Sequence, residues 1–390
     1  VLGALGGGLI TTGMVFGRSR TGMANFQRLT LRIAGVVALL QVLICLPPFD
    51  TIMFSRVLGL NDSLASIARW TMFLGIPMQF GFSLRNKPLV ALYNERKSGL
   101  ANAATLGRIA LTACLSPLFV HLGLTGYVWG SVAMTVPVFG EVFLTRVFGR
   151  RAIEALTDDE SDEKAPLSKQ LHFTIPLSFG GIMLSLSSFM IAVFLARAEH
   201  PEVALSVHYI VMGMVNPLGF AAIRMQSVVI AFPPQKYGTR QIFNFAFGGG
   251  LLLSAILLLF QFPGLSNWYF GRVQNLSDAS VAFAKTAVLL VAVVPLLQAL
   301  RGHAEGLAAV RRRPNAILSG QAMYFATMVL SLFIFLETKA VPGYLMGGLS
   351  ILLSLTMAVV TVRIALVWND FEDSYGDPMR RDPRVNLSEK

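Results

Sequence analysis

The stretch RVLGLNDSLASIARWTMFLGIPMQFGFSLRNKPLVALYNERK, Arg56 to Lys97, returns without a gap as RVQNLSDASVAFAKTAVLLVAVVPLLQALRGHAEGLAAVRRR, Arg272 to Arg313. The offset is 216 residues. It lays Arg56-Val57, Leu60 and Asp62 on Arg272-Val273, Leu276 and Asp278, and Arg69 on Lys285. Leu84-Arg85 falls on Leu300-Arg301, and Arg96-Lys97 on Arg312-Arg313. Upstream, Phe16 and Gly22 meet Phe232 and Gly238 at the same offset. One residue more aligns Gly126-Tyr127, Gly130 and Arg146 with Gly343-Tyr344, Gly347 and Arg363. The chain is thus built from two similar halves.

Both halves are apolar. Of the 390 residues 54% are hydrophobic and 14% charged, and mean hydropathy is +0.62. A soluble domain carries nearer a quarter charged residues. Apolar runs long enough to cross a bilayer as helices recur at 1–16, 30–47, 67–92, 100–120, 124–146, 171–196, 207–232, 242–262, 281–308, 315–336 and 342–367. The sequence therefore predicts an all-α polytopic membrane protein with eleven spans. Two short amphipathic pieces, 50–66 and 266–280, occupy matching places in the repeat and are expected at the membrane surface.

A net charge of +11 invites a nucleic-acid reading, which the distribution of charge removes. Of the 32 Lys and Arg, 21 fall in the segments 17–32, 93–99, 146–170, 233–240, 311–313 and 363–390. The intervening connections hold five, namely Arg56, Arg69, Arg197, Arg272 and Lys339. That asymmetry places the first group and the C-terminus in the cytoplasm. The expected location is a plasma membrane of the bacterial inner-membrane type. Cys45 and Cys114 both lie in apolar spans and read as packing residues, with neither disulfide framework nor metal spacing.

The halves are parallel, because each contains an even number of spans once they are superposed. Val1 corresponds to Pro217, midway along a span, and the segment 171–216 has no counterpart in the first half. The repeat thus predicts that about one and a half helices precede Val1, giving an intact plan of six helices plus six. The division read from sequence is an incomplete N-terminal lobe (1–148), a charged cytoplasmic linker (149–170), a C-terminal lobe (171–368) and a cytoplasmic tail (369–390). The acidic run Asp158 to Glu163 makes the linker solvated and flexible in expectation.

Ionisable residues inside spans are costly and face a cavity or a partner. Here they are Arg85, Lys87, Arg108, Glu141, Arg224, Lys285, Arg301, His303 and Glu305. Arg85 and Arg301 are repeat equivalents, and Lys87 pairs with His303. Each lies about ten residues from a cytoplasmic loop, hence about 12–15 Å deep. A guanidinium stays charged and its fork matches phosphate or carboxylate. Arg85, Arg301 and Arg224, with Lys87 and His303, are accordingly the candidate binding residues for an anionic solute or lipid head group.

Against this, Arg301 and Glu305 are four apart on one helix and could neutralise each other. Arg108 is about eight residues from a loop, within snorkelling reach. Glu141, Glu305 and His303 are the candidates for coupling to H+ or Na+. No cofactor is expected, and no Walker sequence, nucleophile elbow or His-Glu-x-x-His occurs, so neither ATP-driven pumping nor enzymatic chemistry is predicted. Pro77 and Pro295 interrupt corresponding helices, two places out of register, as a hinge would. An internal repeat of apolar spans is a mark of secondary transporters.

Leu122-Gly123-Leu124-Thr125-Gly126 before the last helix of the first half resembles the multidrug/oligosaccharidyl-lipid/polysaccharide exporter superfamily, which includes the MATE exporters. So does the opening Phe173-Thr174-Ile175-Pro176-Leu177. Within that superfamily the second half is similar to the progressive ankylosis family. The likeness rests on Pro217-Leu218-Gly219 with Ile223-Arg224 and Ala231-Phe232, on Arg301-Gly302-His303 with Gly306, and on the Phe-x-x-Pro-Leu opening. The resemblance implies a MATE-like two-lobe bundle and export of small phosphorylated or carboxylated anions. A flippase for a lipid-linked anionic saccharide, a MATE-type multidrug or cation antiporter and a non-transporting scaffold are the alternatives. The lipid bilayer and a small anion are the expected partners, nucleic acid is not, and a monomer is expected.

Overall fold

Helix is the only regular structure that satisfies its own backbone in lipid apart from a closed barrel, and the described residues adopt it almost throughout. The computed structural model describes residues 6, 8–57, 62–158, 165–234 and 238–375. Leu60, the acidic run from Asp159 to Glu163 and the tail beyond Tyr375 lie outside them. The first half contains α1 (Leu9–Phe16), α2 (Arg20–Ile44), a π-helical turn (Thr51–Val57), α3 (Asp62–Leu74), α4 (Ile76–Leu84), α5 (Asn86–Asn94), α6 (Ser98–His121) and α7 (Tyr127–Glu154). Then come α8 (Leu167–Leu195), α9 (Pro201–Ile223) and α10 (Met225–Ala231). The rest comprises α11 (Thr239–Leu258), a second π-helical turn (Asn267–Val273), α12 (Asp278–Val291), α13 (Val294–Val310), α14 (Pro314–Thr338) and α15 (Gly343–Tyr375).

The offset of 216 recurs in the helices. It carries the turn Thr51–Val57 onto Asn267–Val273, the start of α3 onto that of α12, and the start of α6 onto that of α14. Nine helices among the described residues are long and apolar enough to cross a membrane. Their outer faces carry Phe143, Phe220, Leu252 and Val367 at 66–70% exposure, a distribution suited to lipid and hostile to water. This is a multi-pass membrane protein.

Two spans are interrupted, at the prolines that the sequence pointed to. The run 67–92 is not one helix but three, and 281–308 is two. Pro77 and Pro295 each occupy the first turn of the helix after the break, where a missing N–H costs nothing. The first half has an additional break at Arg85, which closes α4 and opens α5. The described ends of the linker carry specific contacts. Helix enters 149–170 from both sides, and the described ends are tied to the start of α2. Asp158 accepts from the Thr21 amide and hydroxyl, both at 2.8 Å, while Gln170 donates to the Gly22 carbonyl at 3.0 Å. The first amides of α2 have no intrahelical acceptor, and a carboxylate there is stabilised by the helix dipole.

By contact the chain forms two units, Val1–Leu186 with Ser227–Lys236, and Ser187–Gln226 with Tyr237–Lys390. This grouping cuts the chain differently from the grouping by repeat. In the first unit α7 is the hub, flanked by α3, α4, α5 and α6. In the second the hub is α13, packed by α9, α11, α14 and α15.

Candidate functional site

Arg85 is placed by backbone packing. A Cβ added at Gly81 of α4 would lie 2.7 Å from Val138 Cγ1 of α7. One added at Gly149 of α7 would lie 2.9 Å from Pro88 Cβ of α5. These two close approaches clamp α4 and α5 onto α7 on either side of Arg85. The guanidinium then meets Glu141 of α7, with Nη1 donating to Oε1 at 2.6 Å. Glu141 is fully buried.

The same carboxylate serves α6. Thr105 Oγ1 donates to Oε1 at 2.7 Å. Arg108 Nε stands 2.9 Å from Oε2, close enough for a charge contact but off the line of a hydrogen bond. Oε2 is thus the less satisfied of the two oxygens. The Phe82 ring lies against both guanidinium groups, 4.7 Å from Arg85 and 5.8 Å from Arg108. Two cations therefore share one anion in a partly buried cluster.

Arg85 also lines a cavity of about 410 Å3, together with Gln79, Ser83, Asn86, Phe82 and the apolar faces of α1 and α2. This size falls in the range of small-molecule sites. Gln79 and Asn86 add neutral polar groups, while the Ser83 hydroxyl is engaged by the Gln79 carbonyl one turn back at 3.0 Å.

The second unit solves the equivalent position differently. Arg301 donates to Glu305 at 2.7 Å along its own helix, with only 5% and 4% of their side chains exposed. Its guanidinium lies 5.5 Å from the Tyr324 ring. His303 is buried, its ring edge-on to Phe243, and Nδ1 faces Arg363 Nη2 at 2.9 Å. A guanidinium can only donate, so Nδ1 accepts and the neutral ring carries its proton on Nε2. A smaller cavity of about 210 Å3 is lined by His208, Asn216, Gln298 and Tyr324 among others, with no formally charged side chain.

Of the residues singled out in the sequence, the structure joins Arg85 to Glu141 and Arg301 to Glu305. Lys87 points elsewhere, donating to Gln27 at 2.9 Å. Arg224 is exposed at the break between α9 and α10. Thr105 and Arg108 enter the site without having been singled out for it. Their spacing of three on α6, which puts them on one helical face, was the available signal.

No protein-family model matches the sequence, and no curated protein matches it by sequence. Solved structures do match by fold. One is a MOP superfamily transporter from Pyrococcus furiosus Vc1, described as having a binding pocket of reverse polarity that suggests a different function. It shares 16% identity at a TM-score of 0.70, over 96% of this chain and 85% of that one. A Vibrio cholerae MATE transporter gives 14% and 0.67 over 96% and 85%. A MATE in its bent conformation gives 16% and 0.70 over 95% and 84%. What these proteins share with this chain is the fold, that of the MATE transporters of the MOP superfamily.

Proposed function

We propose that this protein is a secondary transporter that exports a small phosphorylated or carboxylated anion by alternating access, with Arg85 as its principal contact. The observation that carries this reading is the charge balance around Glu141. Arg85 and Arg108 hold two positive charges against one carboxylate, next to a cavity of about 410 Å3. Positive charge inside a membrane protein favours an anionic neighbour, and an anion in the cavity would add one. The guanidinium fork suits phosphate and carboxylate alike. Arg301 has its own carboxylate on the same helix, shared with no second arginine. The likeness of the second half to the progressive ankylosis family points the same way.

Cation export fits less well, because the two acids read within the spans, Glu141 and Glu305, are each held by arginine. A flippase for a lipid-linked anionic saccharide has one observation in its favour. An apolar groove of about 310 Å3 between α2 and α8 includes Arg32 beside Ile33, Val36, Ile175 and Phe179, a surface suited to a hydrocarbon chain with an anionic head.

The test is flux from proteoliposomes containing the protein and radiolabelled inorganic phosphate, succinate or a polyprenyl-linked saccharide. Arg85→Gln is expected to abolish flux of the soluble anions. Wild-type flux in that variant would discard the site, and movement of the lipid-linked substrate alone would establish the flippase. Ionophores for H+ and Na+ in the same assay identify the coupling ion. Absence of any flux or binding would leave a scaffold.

A further inference from the structure

The two repeats differ in where they keep the carboxylate. Glu305 lies one turn beyond Arg301 on α13, and its counterpart at offset 216 is Leu89. Glu141 comes from α7, where the second repeat, aligned one residue further on, has Ala358. Arg108 likewise stands where the second repeat has Tyr324. Thus the second unit pairs its arginine within one helix. The first unit shares a single carboxylate between the α4–α5 break and α6.

A shared carboxylate can change partners. From these contacts we infer that Arg108 and Thr105 are positioning residues, which retain Glu141 while an anionic solute takes its place on Arg85. The inference rests on the anion reading given above. An anion arriving at Arg85 meets Glu141, a like charge at 2.6 Å from the same guanidinium. It binds only as that carboxylate withdraws, and a fully buried carboxylate cannot withdraw into an unpaired state. Arg108 supplies the alternative partner. Its Nε is already 2.9 Å from Oε2 but misaligned, so rotating the carboxylate toward Arg108 improves that bond as it loosens the one to Arg85. Thr105, on the same face of α6, follows the carboxylate through its rotatable hydroxyl. The Phe82 ring gives both guanidinium groups one apolar surface to lie on during the exchange. Solute affinity then depends on Arg108, although Arg108 is not among the residues lining the cavity.

The experiment measures binding of inorganic phosphate and of succinate to the full chain in nanodiscs, by ligand-dependent thermal shift and equilibrium dialysis. The variants are Arg108→Gln, Arg108→Lys, Glu141→Gln and the Arg108→Gln/Glu141→Gln double. Arg108→Gln is expected to weaken binding roughly tenfold, within the range for coupled neighbouring charges. Arg108→Lys, which keeps the charge, restores most of it. In the Glu141→Gln background, where no carboxylate competes for Arg85, Arg108→Gln has no further effect. An equal loss in both backgrounds overturns the positioning role while leaving Arg85 as the anion contact. Failure of the wild-type protein to bind either anion strikes the anion reading itself.

Discussion

Arg301 and Glu305 offer the cleanest separation of a structural arginine from a solute-binding one. Replacing Arg301 by Met leaves Glu305 buried, at 4% side-chain exposure, without the donor it meets at 2.7 Å. Breaking a buried pair in this way costs about 3–5 kcal/mol. Spread over the unfolding entropy of a 390-residue chain, that is a fall in Tm of roughly 4–6 °C. Removing both charges, as Arg301→Met with Glu305→Leu, takes away the stranded carboxylate and is expected to return Tm to within about 2 °C of wild type. The assay is thermal unfolding in nanodiscs, paired with anion flux in proteoliposomes. The double variant should be stable and should transport. If it is as unstable as the single variant, the ion pair is not the source of the loss. If it is stable but cannot move an anion, Arg301 contacts the solute and the assignment of binding to the first unit alone is wrong.

Other outcomes follow from individual contacts. An alanine Cβ at Gly320 of α14 would sit 2.3 Å from Val362 Cγ2 of α15, so Gly320→Ala should cost about 1–3 kcal/mol. Val362→Ala in the same chain should recover part of this in an unfolding titration, and additivity of the two losses would contradict the packing. Arg69, donating at 2.9 Å, holds the Asp50 carboxyl below its ordinary range, and Asp50 in turn accepts from the Thr51 amide at 2.6 Å. A depressed carboxylate pKa stabilises above the unfolded value and is lost as pH falls through the folded one. The protection factor of the Thr51 amide, with its intrinsic pH-dependent exchange divided out, should therefore fall on acidification, and at a higher pH in Arg69→Ala than in wild type. Cys45 is buried and Cys114 exposed on the outer face of α6. A lipid-soluble maleimide should label Cys114 alone, and a membrane-impermeant one neither.

The repeat made most of the architecture legible, because matching spans, turns and prolines recur at one offset. Pro77 and Pro295 forecast breaks, and both fall where a helix restarts. The Arg301–Glu305 pair was visible as an i,i+4 spacing on one helix. The Arg85–Glu141 pair was not, since its members are 56 residues apart and are brought together by the close packing of α4 and α5 on α7. Arg108 looked like a side chain reaching for the nearest loop. Loop distance says how far a charge lies from water, but not which neighbouring helix offers it a carboxylate. At the described start of the acidic run the sequence did not show where Asp158 would bond. An acidic run suggests solvation, whereas the amides at the start of α2 supply a specific place for Asp158.

The peripheral position of α6 carries a consequence of its own. Ala101 and Ala104 are its buried residues, and its main neighbours are α5 and α7. At 24 residues it is about 36 Å long, against a hydrocarbon layer of about 30 Å. A helix so lightly held meets changes in bilayer thickness by tilting. Tilting α6 against α7 shifts Thr105 and Arg108 relative to Glu141. The thickness of the host membrane is thereby an input to the charge cluster, and the same protein reconstituted in short-chain and long-chain lipids should hold its anion with different strength.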